Sequence, residues 1–107
     1  MGKNLSEIRL RYRQTACQLE EMRNMTASMR SYVEEDFDSA LTRLTSSWKG
    51  EVAEEYQRRG KRLQRSYLDR LDELERCLDT LRLAARNIYE AEMQNASRAA
   101  SGNDKEW

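Results

Sequence analysis

The side chains with which this sequence could perform chemistry are of few kinds: it has two cysteines and many carboxylates, but no histidine. Histidine-based catalytic triads and the common metal sites are therefore absent, and no glycine-rich loop is present to bind phosphate. Cys17 and Cys77 are too isolated for a metal site or a disulfide framework, so we interpret them as free thiols. No carboxylate falls on the predicted helix seams described below, where a general acid would be desolvated. The sequence therefore predicts a protein that is not an enzyme and uses no cofactor.

The composition is that of long helices, because proline is absent and Glu, Arg, Leu, Ala and Gln are abundant. With 19 basic and 19 acidic residues, the formal charge is zero, so no overall field attracts nucleic acid or an anionic membrane. No stretch approaches the roughly 20 apolar residues of a transmembrane helix, and the N-terminus lacks the apolar core of a signal peptide. We expect one all-α domain over residues 1–107, without nucleic-acid binding or stable membrane insertion.

Apolar residues recur at steps of three and four along two long segments, which is the seam pattern of a coiled coil. The first seam is Ile8, Tyr12, Thr15, Leu19, Met22, Thr26, Met29, Val33, Phe37, Ala40 and Leu44, with one extra step of four at Phe37. The second is Val52, Tyr56, Gly60, Leu63, Tyr67, Leu71, Leu74, Leu78, Leu81, Ala85 and Ile88. We predict helix 1 at about 5–45, a turn at 46–50, helix 2 at about 51–97 and a mobile tail at 98–107. Asn4 and Glu7 have the spacing of a capping box at the start of helix 1.

An antiparallel hairpin results if the chain folds back at Trp48, and the two seams then face each other row by row. Phe37 falls opposite Gly60, where a ring that needs space would explain a glycine inside a helix. Leu19 falls opposite Leu78. The acidic residues 34–38 lie across from the basic residues 58–62, so the one candidate nucleic-acid patch is neutralised, and the charges set the register more than they add stability.

Further apolar residues lie beside the seam and need cover in a two-helix hairpin: Met25, Tyr32, Leu41 and Leu68, together with Leu83 and Trp48. A second hairpin would supply that cover, and two packed hairpins form a four-helix bundle. We therefore expect a dimer, either of this chain with itself or with a similar sister chain.

The turn contains Trp48-Lys49-Gly50, followed by Ala53 and Tyr56. This tripeptide, placed between two paired seams near the middle of the chain, resembles the WXG family of small type VII secretion substrates. The resemblance implies a helical-hairpin dimer made in the bacterial cytoplasm, recognised by the secretion ATPase and exported without a cleaved signal peptide. It also implies that Trp48 and Gly50 form half of a composite export signal.

The other half of the family's signal is a tyrosine followed four residues later by a carboxylate, near the end of the second helix. Here Tyr89 is followed by Glu92 after three residues, which still places the carboxylate on nearly the same helix face. Three alternatives stay open. Trp48 could simply plug the end of the bundle; the protein could be an adaptor or chaperone that carries a larger toxin to the secretion machinery; or it could act on membranes, which its high charge disfavours.

Overall fold

The computed structural model describes residues 4–105, and the side chains of residues 4–100. Helix α1 spans Leu5–Ser31, a π-helical segment spans Tyr32–Phe37, helix α2 spans Asp38–Thr45 and helix α3 spans Glu51–Lys105. No strand occurs in this part of the chain. The all-α prediction is confirmed, and two long helical stretches separated by a short turn are consistent with the predicted hairpin.

The fold comprises two compact units. The turn unit is Arg23–Cys77, which contains the turn and the helix on either side of it. The terminal unit combines the residues up to Met22 with those from Leu78 onward. Each unit contains one stretch of helix from each side of the turn, so each has its own antiparallel pair and its own functional candidates.

Local signals place the helix ends. The N–H of Glu7 donates to Asn4 Oδ1 at 2.8 Å, so the predicted cap at the start of α1 is confirmed. Gly50 has a φ of 77°, a left-handed conformation that favours glycine, and α3 begins at the next residue. Helix α3 continues to Lys105, beyond the predicted end at 97, so the structure describes most of the predicted tail as helical. Residues 106 and 107 lie outside the described residues.

The π-helical segment lies where the first seam has its extra step. Its junction residues Ser31, Phe37 and Asp38 all keep right-handed helical dihedrals, so the chain stays helical throughout. An i→i+5 bond encloses one more residue than the α-helical bond, so the positions that follow rotate around the axis. Across the pair, the Gln64 side chain donates to the Val33 carbonyl at 2.9 Å. The stutter is therefore accommodated by a π-turn, with a hydrogen bond from the facing helix.

This rotation corrects the predicted register in the turn unit. After the π-helical segment, Leu41 and Thr45 turn inward, whereas the predicted seam residues Ala40 and Leu44 are exposed. A Cβ atom added to Gly60 would lie 2.5 Å from Leu41 Cδ2, and the three nearest side-chain atoms all belong to Leu41. Gly60 thus makes room for a large side chain, as expected, but that side chain is Leu41 and not Phe37.

Among the described residues of the terminal unit, Ile8 and Leu78 are the buried hydrophobic side chains, and Leu19 is half-buried. The burial of Leu78 agrees with its place on the predicted seam. The direct pairing of Leu19 with Leu78 remains a prediction.

Ion pairs join the helices of the turn unit. Lys61 bonds to Asp38, so one contact forms between the basic and acidic stretches that were expected to face each other. The apolar pattern did not predict the position of Arg30, whose Nη2 lies 2.6 Å from Asp72 Oδ1 and 3.0 Å from Glu75 Oε1. These hydrogen bonds raise the pKa of the Arg30 guanidinium, and the bond to Asp72 contributes more than the bond to Glu75.

Replacing Arg30 with methionine should lower the free energy of unfolding by about 1 kcal/mol, because Asp72 and Glu75 would be left close together without their cation. Lysine at position 30 should restore part of the loss, since it keeps the charge but not the forked geometry. Urea unfolding followed by circular dichroism measures both. The loss should shrink in about 1 M salt, and a loss independent of salt would show that packing of the arginine stem causes it.

Candidate functional site: the tryptophan turn

Trp48 lies in the turn between α2 and α3, with 37% of its surface exposed. Its backbone N–H donates to the Thr45 carbonyl at 3.1 Å, which holds the first residues of the turn against the end of α2. The Glu54 N–H donates to the Gly50 carbonyl at 3.3 Å, which starts α3 directly after the turn. Backbone hydrogen bonds therefore connect the turn to a helix end on each side of Trp48. The Trp48 side chain is only partly buried.

The indole ring of Trp48 packs edge-on against Tyr56, with centroids 5.1 Å apart and planes at 73°. Such an edge-to-face contact is a favourable aromatic geometry. The guanidinium of Arg59 lies over the Tyr56 ring at 5.8 Å from its centroid, and Arg59 Nε donates to Glu55 Oε1 at 3.0 Å. A row of contacting side chains thus begins at Trp48 and follows the first turns of α3.

The Glu55 carboxylate accepts hydrogen bonds from the arginines of this row. Hydrogen bonds from Arg58, which contributes most, and from Arg59 hold the pKa of Glu55 below its ordinary value. Because the folded-state pKa is the lower one, the group stabilises the fold above the unfolded-state pKa. That contribution is lost as the pH falls through the folded-state pKa. The hydrogen bonds between the Glu55 carboxylate and the two arginines are therefore present at neutral pH and are lost in acid.

A buried threonine beneath the turn bonds to an exposed glutamine of α3. Thr45 is only 3% exposed, and its hydroxyl donates to the Leu41 carbonyl at 2.9 Å. The same hydroxyl accepts a hydrogen bond from Gln57 Nε2 of α3, also at 2.9 Å. Sequence reasoning missed both residues, since Thr45 was outside the predicted seam. A threonine just before the turn, with glutamine on the next helix, is too common a pattern to signal a contact.

Tyr89 and Glu92, the candidate second half-signal, lie in the terminal unit. Tyr89 stacks on Tyr12, with centroids 4.5 Å apart and planes at 22°. Both rings and Glu92 line a shallow pocket with Ile8, Arg11, Thr15, Ala85 and Ile88. Tyr89 therefore packs across the helix pair as well as belonging to the candidate motif, a role that was not predicted.

The turn unit has an apolar groove, lined by Ser28, Met29, Tyr32, Val33, Tyr67 and Leu71. Leu71 is the one buried hydrophobic side chain among the described residues of this unit. Around the groove, large apolar side chains are between 37% and 63% exposed: Met25, Met29, Tyr32, Leu63, Tyr67 and Leu74. Large exposed apolar patches are typical of interaction sites in soluble proteins.

Two of the four predicted interface residues belong to this surface and two do not. Met25 and Tyr32 are exposed beside the groove. Leu41 and Leu68 are half-buried, and Leu41 packs against Gly60. The physical reason is the rotation of both helices relative to the predicted seams, which turns Leu41 and Leu68 inward and brings Leu63, Tyr67 and Leu74 out.

Other chemistry has little basis in the described part of the chain. No group of three or more histidine, cysteine or acidic side chains is placed there to hold a metal ion. Cys17 and Cys77 are exposed free thiols. Among the helices that the structure describes, none has both the length and the apolar character needed to cross a bilayer. Exposed apolar side chains lie at the tryptophan turn and around the apolar groove.

Comparisons of the chain with models of protein families, with curated proteins and with solved structures find no match.

Proposed function

We propose that this protein is a small helical protein exported by a bacterial type VII secretion system, and that it acts by binding other proteins. The observation that carries the proposal is the tryptophan turn, in which Trp48 is held in a fixed place with over a third of its surface exposed. A ring that served only as packing would gain from full burial. The exposed part of Trp48 is the surface that the secretion ATPase reads, with Gly50 allowing the turn.

Tyr89 and Glu92 form the second half of the signal under this proposal. Their place in one shallow pocket supports the idea that they form a single surface despite the spacing of three residues. The stack on Tyr12 orients the Tyr89 ring, so a substitution of Tyr12 affects this half indirectly.

The apolar groove is the dimer surface in the proposed function. A second copy of this chain, or a sister chain, covers Met25 and Tyr32 together with Met29, Leu63, Tyr67 and Leu74, in place of the Leu41 and Leu68 expected from the sequence. Burial of a large apolar side chain contributes about 1.5 to 3 kcal/mol. Six such side chains are partly exposed in the hairpin, and covering them would favour association of two hairpins into a four-helix bundle.

An adaptor or chaperone for a larger toxin is the second candidate. The bare apolar groove favours it as well, because a helix of another chain would fill the same surface. Purification from the native bacterium separates the two candidates. A discrete dimer supports the secreted substrate, and a stable complex with a much larger chain supports the adaptor.

The test of the export role is Trp48→Ala and, separately, truncation after Ile88, in the bacterium that encodes the protein. Both variants should accumulate inside the cell and disappear from the culture medium. The purified Trp48→Ala variant should keep the helicity and mass of the parent. The matched control is Trp107→Ala, which removes the other tryptophan and should be exported normally. Normal export of both test variants would remove the export signal from these residues.

A further inference from the structure

Thr45 is the one buried polar residue at the tryptophan turn, and both its carbonyl and its hydroxyl form hydrogen bonds there. Its carbonyl accepts the Trp48 N–H at 3.1 Å. Its hydroxyl donates back to Leu41 in its own helix and accepts from Gln57 on the next helix, both at 2.9 Å. A single residue therefore connects the end of α2, the turn and the start of α3.

Gln57 lies one residue beyond Tyr56, the aromatic partner of Trp48. The Gln57–Thr45 bond joins α3 to the end of α2 next to the residue whose ring contacts the indole edge. The contact of Leu41 with Gly60 holds the same two helices one level further from the turn. Two contacts therefore hold Trp48: its backbone N–H bonds to Thr45, and its ring packs against Tyr56.

We propose that Thr45 and Gln57 are positioning residues, which hold Trp48 in the orientation that its partner recognises. This inference rests on the proposed function, since it assigns the residues that prepare the recognised surface. It implies that the signal is a preformed surface built from both sides of the turn, and not a linear segment that folds when bound. Preorganisation of this kind strengthens binding, because the cost of ordering is met before the partner arrives.

Thr42 supplies a comparison within the same helix. Its hydroxyl donates to the Asp38 carbonyl at 3.0 Å, in the same manner as Thr45 to Leu41. Its hydroxyl bond stays inside the helix, its carbonyl accepts a long contact from the Thr45 hydroxyl at 3.5 Å, and its side chain is exposed. Thr42→Val therefore changes helix propensity and removes a local hydrogen bond to the same degree as Thr45→Val. Unlike Thr45→Val, it removes no bond to the next helix.

The expected effects follow from the strength of one hydrogen bond. Loss of the cross-turn bond costs about 1 kcal/mol, which lowers the population of the ordered turn, and hence partner affinity, by up to about fivefold. Since 37% of Trp48 is exposed in the parent, release of the ring should raise its acrylamide quenching constant by about twofold.

The experiment uses the full chain with Trp107→Phe, so that Trp48 is the one indole. Thr45→Val and Gln57→Ala each remove the cross-turn bond, and Gln57→Ala changes an exposed helix position to alanine, so the variant should fold. Acrylamide quenching and export are measured for both variants. Thr45→Ser keeps a hydroxyl and should restore both readouts, and Thr42→Val should leave both at the parent level.

Unchanged quenching in Thr45→Val and Gln57→Ala would overturn the positioning role. So would equal changes in Thr42→Val, which would point to a general loss of helix stability. The proposed function fails separately, if Trp48→Ala is exported normally. If Trp48→Ala blocks export while Thr45→Val and Gln57→Ala are exported like the parent, Trp48 is recognised without preorganisation, and only the present inference is wrong.

Discussion

Replacing Met29 and Tyr67 together with glutamate is expected to turn a dimer into a monomer at micromolar concentration. Both side chains line the apolar groove, and about half of each is exposed. In the proposed dimer each loses its contact with the partner, and each new carboxylate is desolvated if the surfaces still meet. A combined loss of about 4 kcal/mol or more weakens association by about a thousandfold.

Sedimentation equilibrium measures this change directly. The parent should give twice the chain mass of 12.7 kDa, and the variant should give the chain mass. The heat-unfolding midpoint should rise with concentration in the parent but not in the variant. The matched control is Ala27→Glu with Arg65→Gln, which lowers the net charge by the same amount. Each control residue is two positions from a groove residue and so lies near the opposite side of its helix.

Two results would contradict the dimer surface. One is a parent that sediments as a monomer with a midpoint independent of concentration. The other is equal weakening in the test and control variants, which would place the effect in net charge and not in the groove.

Gly60→Leu is expected to destabilise the turn unit by about 1 to 3 kcal/mol, because the added side chain overfills the contact with Leu41. Even a single added Cβ would lie 2.5 Å from Leu41 Cδ2. Helix propensity alone would make Gly60→Leu stabilising, because glycine is the poorer helix former by roughly 1 kcal/mol. We expect the steric cost to exceed this gain, so the substitution should be destabilising.

A second substitution identifies the neighbour. Leu41→Ala should recover part of the stability of Gly60→Leu, since it exchanges the large and small partners across the helix pair. Phe37→Ala, which removes the ring expected from the sequence to occupy this place, should recover none. Urea unfolding of the single and double variants at one protein concentration gives the coupling free energies. Rescue by Phe37→Ala and not by Leu41→Ala would restore the register expected from the sequence.

Features of this protein that depend only on neighbouring residues follow directly from the sequence. The start of α1 follows from the Asn4 cap on Glu7, and the break before α3 follows from a glycine at position 50 that adopts a positive φ. The long helices follow from composition and from the absence of proline. Even the need for space at Gly60 was readable, because a glycine inside a helix is costly without a close neighbour.

The tertiary structure alone decided which side of each helix faces inward. The apolar stripe on each helix is wider than one partner helix covers, so several rotations satisfy the pattern of threes and fours almost equally. The choice among them depends on contacts between distant residues that must form together: Leu41 on Gly60, Gln64 on the Val33 carbonyl, and Arg30 between Asp72 and Glu75. The π-helical segment then shifts the inward face after Phe37; the extra step of four marks its place in the sequence, but not which residues turn inward beyond it. For the same reason the hydrogen bond between Thr45 and Gln57 at the tryptophan turn depends on how the two helices pack, and the local sequence does not predict it.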